Sequence, residues 1–344
     1  MKKKKKTVLT IACMLSVALL LTASYTAWNL ADPAFTCARC HEIKDSHTSW
    51  QSSAHAAIAC TDCHGTALSE GFYSLSEKTR MLLTHLTTDK RNDDLRLNEQ
   101  QVLALAGRCA ECHRAEQAGW LAGGHGTTYQ DIFLDETHNR SEKPYADCLR
   151  CHGMFYEASI SELMSLEGEA SAFALRDTKQ ASQPVIPCLS CHQMHSPQDD
   201  TLKTAFYVRA EKDYLPSGQL SKIEMYDKGR PVQTADDANT RLCLQCHSPN
   251  AWHQAGSSDD RTPTGVHEGL ACTACHAPHS NDASASCSQC HPALSNCGLD
   301  VKTMDTSYRN PESPNNIHHI SCTSCHEQKQ ARDRRLSRQP VSLN

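Results

Sequence analysis

Aromatic residues are scarce in this chain of 344 residues: four Trp, nine Tyr and six Phe make up 6%, and hydrophobic residues reach only 39%. Part of that apolar material sits in the first thirty positions. The remainder therefore lacks the substance of an ordinary apolar core, and by composition alone it would drift toward disorder. Strand-like alternation is weak throughout, which argues against a fold built on a large sheet. Positive charge is not in excess either. The formal balance is −5, which argues against a nucleic-acid partner.

Cysteine is what the chain has in abundance, and eighteen of its twenty cysteines fall into nine copies of Cys-x-x-Cys-His. The copies are Cys37/Cys40/His41, Cys60/Cys63/His64, Cys109/Cys112/His113, Cys148/Cys151/His152, Cys188/Cys191/His192, Cys243/Cys246/His247, Cys272/Cys275/His276, Cys287/Cys290/His291 and Cys322/Cys325/His326. A lone Cys-x-x-Cys could be half a zinc site or a redox disulfide. Neither needs a histidine directly after every second cysteine. Covalent haem does: the two thiols reach the two vinyl groups of one porphyrin, and the next residue becomes the axial ligand of its iron. The expectation is nine haem c. From Ala31 to Asn344 that leaves about 35 residues per haem, a chain wrapped around a haem stack with little room for a separate catalytic domain. The expected fold is mainly α with much coil.

Lys2 to Lys6 precede Thr7 to Trp28, 22 residues without a charge, long enough to cross a bilayer as one helix. A cleaved signal would need small residues before its cut, and the best site, after Ala27, has Tyr25 at the third position back. A retained anchor is the expectation, with the lysines inside a bacterial cytoplasmic membrane and the haem-bearing part on its periplasmic side. Without those five lysines the exported part carries 29 basic and 39 acidic residues, a balance of −10.

Motif spacing suggests an organisation. Residues 1–30 hold the lysines and anchor, 31–95 a dihaem unit, 96–200 a trihaem unit, 201–240 a haem-free connector, 241–328 a tetrahaem unit and 329–344 a basic tail. Apolar residues at intervals of three and four predict helices at Leu68 to Thr87, Leu97 to Ala106 and Ser159 to Leu166. Tyr214 to Thr234, with Pro216, Gly218, Gly229 and Pro231, reads as loop.

Eleven histidines lie outside the motifs, and nine irons need nine second ligands. His55 and His267 each stand five residues before a motif, and His318 stands four before one. His195 and His279 each stand three after a motif histidine. With His125, His138, His253 and His85 they form the expected distal set, leaving His47 and His319 as extras.

Cys37-Ala38-Arg39-Cys40-His41-Glu42, then Trp50, Ser53, His55 and Cys60-Thr61-Asp62-Cys63-His64, follow a single N-terminal helix. This resembles the NapC/NirT/NrfH family of membrane-anchored quinol dehydrogenases, over about residues 7 to 90. Ile43 stands where that family often has a ligating methionine, so methionine ligation is not implied. The resemblance does mark Lys78 as a quinol-site candidate, and His85, at the family's later acidic position, as a histidine over the first haem. The rest of the chain, including the Trp120 to His125 echo of Trp50 to His55, is similar to cytochrome c3 and cytochrome c-552/c-554 proteins.

Two function classes follow. One is an electron relay from the membrane, with quinol a candidate donor, to an extracytoplasmic redox protein. The alternative is a multihaem reductase or oxidase of a small nitrogen or sulfur compound at one iron with an open position. No motif carries the lysine that replaces the histidine in related nitrite reductases. Cys297, the one exported cysteine outside a motif, is a buried thiol, an iron or haem attachment, or a redox-reactive group.

Overall fold

The computed structural model describes residues 2–66, 79–80, 82–83, 85–87, 97–195, 204–227, 229–247, 262–280, 283–291 and 318–320. It is mainly α with much coil and short strand pairs. The chain divides into two compact units, Met1–Cys109 with Gln193–Lys203, and Ala110–His192 with Thr204–Asn344.

The first unit begins with α1, Lys2–Leu30. Its stretch Lys6–Leu30 has a mean hydropathy of 2.1, and none of its apolar window is buried inside the protein. Val8, Leu15, Leu19 and Leu20 are all exposed. So much bare aliphatic surface is tolerated only in lipid or by a segment that is later removed. Tyr25 donates from its hydroxyl to Thr66 Oγ1 at 2.6 Å, tying the end of α1 to the residues after the second motif. Helices α2 (His41–Gln51), α3 (Cys60–His64) and α4 (Glu99–Cys112) follow. Leu97 to Ala106 thus falls largely within α4. Residues 79–80, 82–83 and 85–87 are helical, and the remainder of Leu68 to Thr87 lies outside the described residues.

The second unit carries α5 (Arg114–Ala122), α6 (Tyr129–Phe133), α7 (Glu136–Ser141), α8 (Ile160–Leu163), α9 (Ala238–His247) and α10 (Ser284–Cys290). It contains an apolar core that chain-wide composition conceals. Tyr129, Phe133, Leu149, Leu163, Met164, Phe173, Leu175 and Val185 are all buried together. Three of the six phenylalanines stand between residues 129 and 186, so the apolar material is concentrated there rather than absent. Within Ser159 to Leu166 the helix lasts one turn. It gives way to β1 (Met164–Ser165), paired antiparallel with β2 (Ala174–Leu175).

Tyr214 to Thr234 is not simply loop. β3 (Ala205–Val208) pairs antiparallel with β4 (Asp213–Pro216), and β5 (Met225–Asp227) with β6 (Arg230–Val232). Gly229 supplies the turn of the second hairpin at φ 81, a left-handed conformation that glycine adopts without strain. Pro231 is compatible with β6 because a two-stranded ribbon consists of edges, where a missing N–H need cost no ladder bond. β7 (Thr264–Gly265) lies parallel to β8 (His319–Ile320).

Candidate functional site

Eight of the nine motifs are described, and each sits on a helical turn. Three close or form α-helices in the two units, at α3, α9 and α10, and Cys109 and Cys112 lie in the last turn of α4. The others occupy or border single 3₁₀ turns, Cys37–Arg39, Ala146–Arg150, Cys188–Ser190 and Cys272–Ala274. Residues three apart share one face of such a turn, so both thiols point the same way. The histidine is drawn back by its own amide. His152, His192, His276 and His291 donate N–H to the carbonyl of their motif's first cysteine at 2.8, 3.1, 2.9 and 2.7 Å.

The imidazoles then meet in pairs. In the first unit the His64 and His195 ring centroids are 5.9 Å apart, with planes inclined by 15°. In the second unit His247 faces His125 at 5.9 Å, His192 faces His279 at 5.9 Å, His276 faces His318 at 6.0 Å and His291 faces His267 at 6.3 Å. Each pair joins one motif histidine to one histidine outside the motifs. Two imidazoles bonded at roughly 2 Å to opposite sides of one metal ion hold their centroids about 6 Å apart.

Groups around these rings fix them. Nδ1 of His195 donates to the Ser46 carbonyl at 3.2 Å, which makes Nε2 the nitrogen of that ring whose lone pair can bind a metal. Burial, with His279 and His113 nearby, holds the His192 imidazole below its ordinary pKa, favouring the neutral form that binds metal. The His279 backbone packs directly on Gly119 of α5, where a Cβ would lie 1.7 Å from the His279 carbonyl oxygen. Trp50 and Trp120 play matching parts, each donating its indole N–H to a carbonyl at 3.1 Å, of Ile58 and Ile186.

The other expected ligands are placed differently. Nδ1 of His85 contacts Oε1 of the nearly buried Glu42 at 2.7 Å, and Cys40 lies within 4.8 Å of both. His55 is half-buried in the turn after α2, and His138 is exposed on α7. His47 Nε2 is buried with no hydrogen-bond partner. His253, Lys78, Cys297, Cys322, Cys325, His326 and the basic tail lie outside the described residues.

Of the motif thiols whose pKa departs from the ordinary value, all but one are pushed up. Burial pushes Cys40, Cys60, Cys148, Cys188 and Cys275 up, and Cys191 up to about 11. A reactive dithiol needs the opposite shift. Cys272 is the exception, brought to about 7 by a hydrogen bond from the Cys243 thiol. That contact and a second one, Cys151 to Cys246, put cysteines of the fourth, sixth and seventh motifs side by side. Arg150 reinforces the second, donating to the Gln245 carbonyl at 2.9 Å. Sequence spacing holds no signal for either contact.

Helical turns bearing paired thiols, with motif histidines that meet histidines from elsewhere in the chain, define a multihaem c-type cytochrome. Residues 33–205, just over half of the chain, match the outer membrane cytochrome MtrC/MtrF-like family, domains II/IV, and the chain belongs to that family. Residues 187–277 match cytochrome c554 and c-prime. Neither the curated proteins nor the solved structures gave a match. These matches support the multihaem cytochrome class and not membership of the NapC/NirT/NrfH family. Electron transfer is what cytochrome domains of this kind imply, with haem c as cofactor and redox proteins as partners.

Proposed function

We propose that the protein is a nonahaem relay, anchored in the cytoplasmic membrane by α1, that carries electrons from the membrane to an extracytoplasmic redox protein, with quinol as the candidate donor. The observation that carries this reading is the set of five ring pairs, each with the spacing of two imidazoles around one iron. His64, His192, His247, His276 and His291 are the proximal ligands of those irons, and His195, His279, His125, His318 and His267 the distal ones. The same assignment extends to proximal His41, His113, His152 and His326, with His55, His85, His138 and His253 as candidate distal partners.

Haem fits these residues. The thiols share one face of each turn, and the ring pairs leave room for an iron. Haem supplies one-electron chemistry at potentials that its axial ligands tune. The protein's part is to hold two neutral imidazoles rigidly, so that oxidised and reduced forms need little rearrangement. Touching cysteines of the fourth, sixth and seventh motifs bring attachment edges together, as a relay requires. The five lysines at the start of α1 favour the cytoplasmic membrane for the anchor, although the matched family's name speaks of outer membrane cytochromes.

Electron paramagnetic resonance of the oxidised protein tests the reading against the enzyme alternative. A relay gives low-spin ferric haem throughout. A full equivalent of high-spin haem in the wild type would overturn it in favour of an iron open to substrate, and Cys297 would then be the first residue to replace.

A further inference from the structure

We propose that His47, which motif spacing passes over, is an axial ligand of a haem iron. The inference rests on the haem-bearing reading above, in which nine irons take nine distal ligands, so His47 takes the place of one of the four candidate distal partners, His55, His85, His138 or His253. His47 Nε2 is enclosed by protein and has no hydrogen-bond partner. Buried polar atoms are almost always satisfied, and an exception calls for an unseen partner such as an ion. The ring is also held in place. It stands 5.5 Å from the Trp50 ring, and Trp50 is itself pinned by its indole N–H on the Ile58 carbonyl. A braced imidazole with one enclosed, unsatisfied nitrogen is what a metal ligand looks like without its metal.

Its place on α2 decides which iron it can serve. His41 and His47 are six residues apart on one helix, about 240° around the axis and about 9 Å along it. They cannot face each other across one iron, so His47 serves an iron other than that of His41. The five ring pairs follow the same rule, since none joins a histidine to the nearest motif's own histidine. Helix α2 already takes part in one of them, through the Ser46 carbonyl that accepts from His195. His47 is the next residue.

The test uses the full-length, haem-loaded protein in detergent, with intact mass and resonance spectra taken on the same sample. His47→Ala should keep every haem the wild type has and convert one low-spin equivalent to high-spin. In His47→Gly, added imidazole should restore the low-spin signal. If the Ala and Gly variants fail to accumulate, His47→Met supplies a thioether as sixth ligand. It should then stay low-spin while one haem's share of the redox titration moves to higher potential, as methionine ligation does. Unchanged spectra in His47→Ala, or an unchanged titration in His47→Met, with a full haem complement, would overturn the assignment and leave the relay reading intact. A wild-type mass without haem would instead overturn the reading beneath it.

Discussion

Gly119→Ala separates ligand placement from helix propensity, because the two predict opposite outcomes. Gly119 lies inside α5, and alanine in a helix interior is favoured over glycine by about 1 kcal/mol. On propensity alone the substitution stabilises. The surroundings reverse the sign. A Cβ at this position would lie 1.7 Å from the His279 carbonyl oxygen and 2.9 Å from its carbon, both backbone atoms that no side-chain rotation can clear. The oxygen contact must open to at least 3.0 Å, so α5 or the segment carrying His279 moves by more than 1 Å. Metal–ligand bonds tolerate about 0.2 Å. Overpacking of this kind costs roughly 1–3 kcal/mol, which meets or exceeds the propensity gain. The expected variant therefore keeps all its covalent haem, melts no higher than wild type and shows one new high-spin equivalent, as His279 leaves the iron shared with His192. Gly107→Ala is the control. Gly107 lies in α4 with nothing within 4 Å of an added Cβ, so it should leave the spectrum unchanged and melt slightly higher. If Gly119→Ala behaved like Gly107→Ala, the close approach to His279 would not set the ligand, and the reasoning would fail.

Intact mass should exceed the polypeptide's 38.0 kDa by nine haem units, and a value matching seven or fewer would refute the count. The protein should fractionate with membranes and require detergent; N-terminal sequencing that starts at Trp28 or beyond would show that α1 is a cleaved signal. His318→Ala should create one high-spin haem while His319→Ala leaves the spectrum alone, and the opposite result would reassign the partner of His276. Glu268 accepts from Arg230 and from the Gln233 amide, which lower its carboxyl from 4.5 to about 2. A carboxyl lowered on folding adds stability above its unfolded pKa, and loses it as pH falls through the folded value. Melting temperature should therefore drop between about pH 4.5 and 2 less steeply in Glu268→Gln than in wild type; identical slopes would remove Glu268 from acid unfolding.

The chemistry of the haem-binding turns was legible because it is local. Two thiols and an imidazole within five residues are adjacent in any helical turn, whatever the rest of the chain does. α4 was legible for the same reason, since its apolar residues recur at helical intervals over nearly three turns. The short strands were not. β3 to β6 are three or four residues each, too short for alternation to stand out, and two prolines and two glycines within Tyr214 to Thr234 pointed to loop. The core around Tyr129 and Phe133 was hidden by averaging, since composition over 344 residues cannot register three phenylalanines gathered into one segment.

Pairing is where sequence reasoning reaches its limit, and the reason is geometric. Spacing marked His195, His267, His279 and His318 as noteworthy because each stands a few residues from a motif, yet their rings meet motif histidines elsewhere. His195 follows the fifth motif and faces the second; His279 follows the seventh and faces the fifth. His267 precedes the seventh and faces the eighth, and His318 precedes the ninth and faces the seventh. A histidine three positions from a motif histidine, as His195 and His279 are, lies on the same side of the iron as that histidine. It cannot reach the far side. In the proposed assignment each such histidine serves the iron of a motif other than the one it stands beside. The interval in sequence singles out four of the five paired histidines, but it also marks His55, which none of the five pairs contains, and it misses His125. Which iron each one reaches depends on the folding of the chain between them, and a contact such as Gly119 on His279 enters only there.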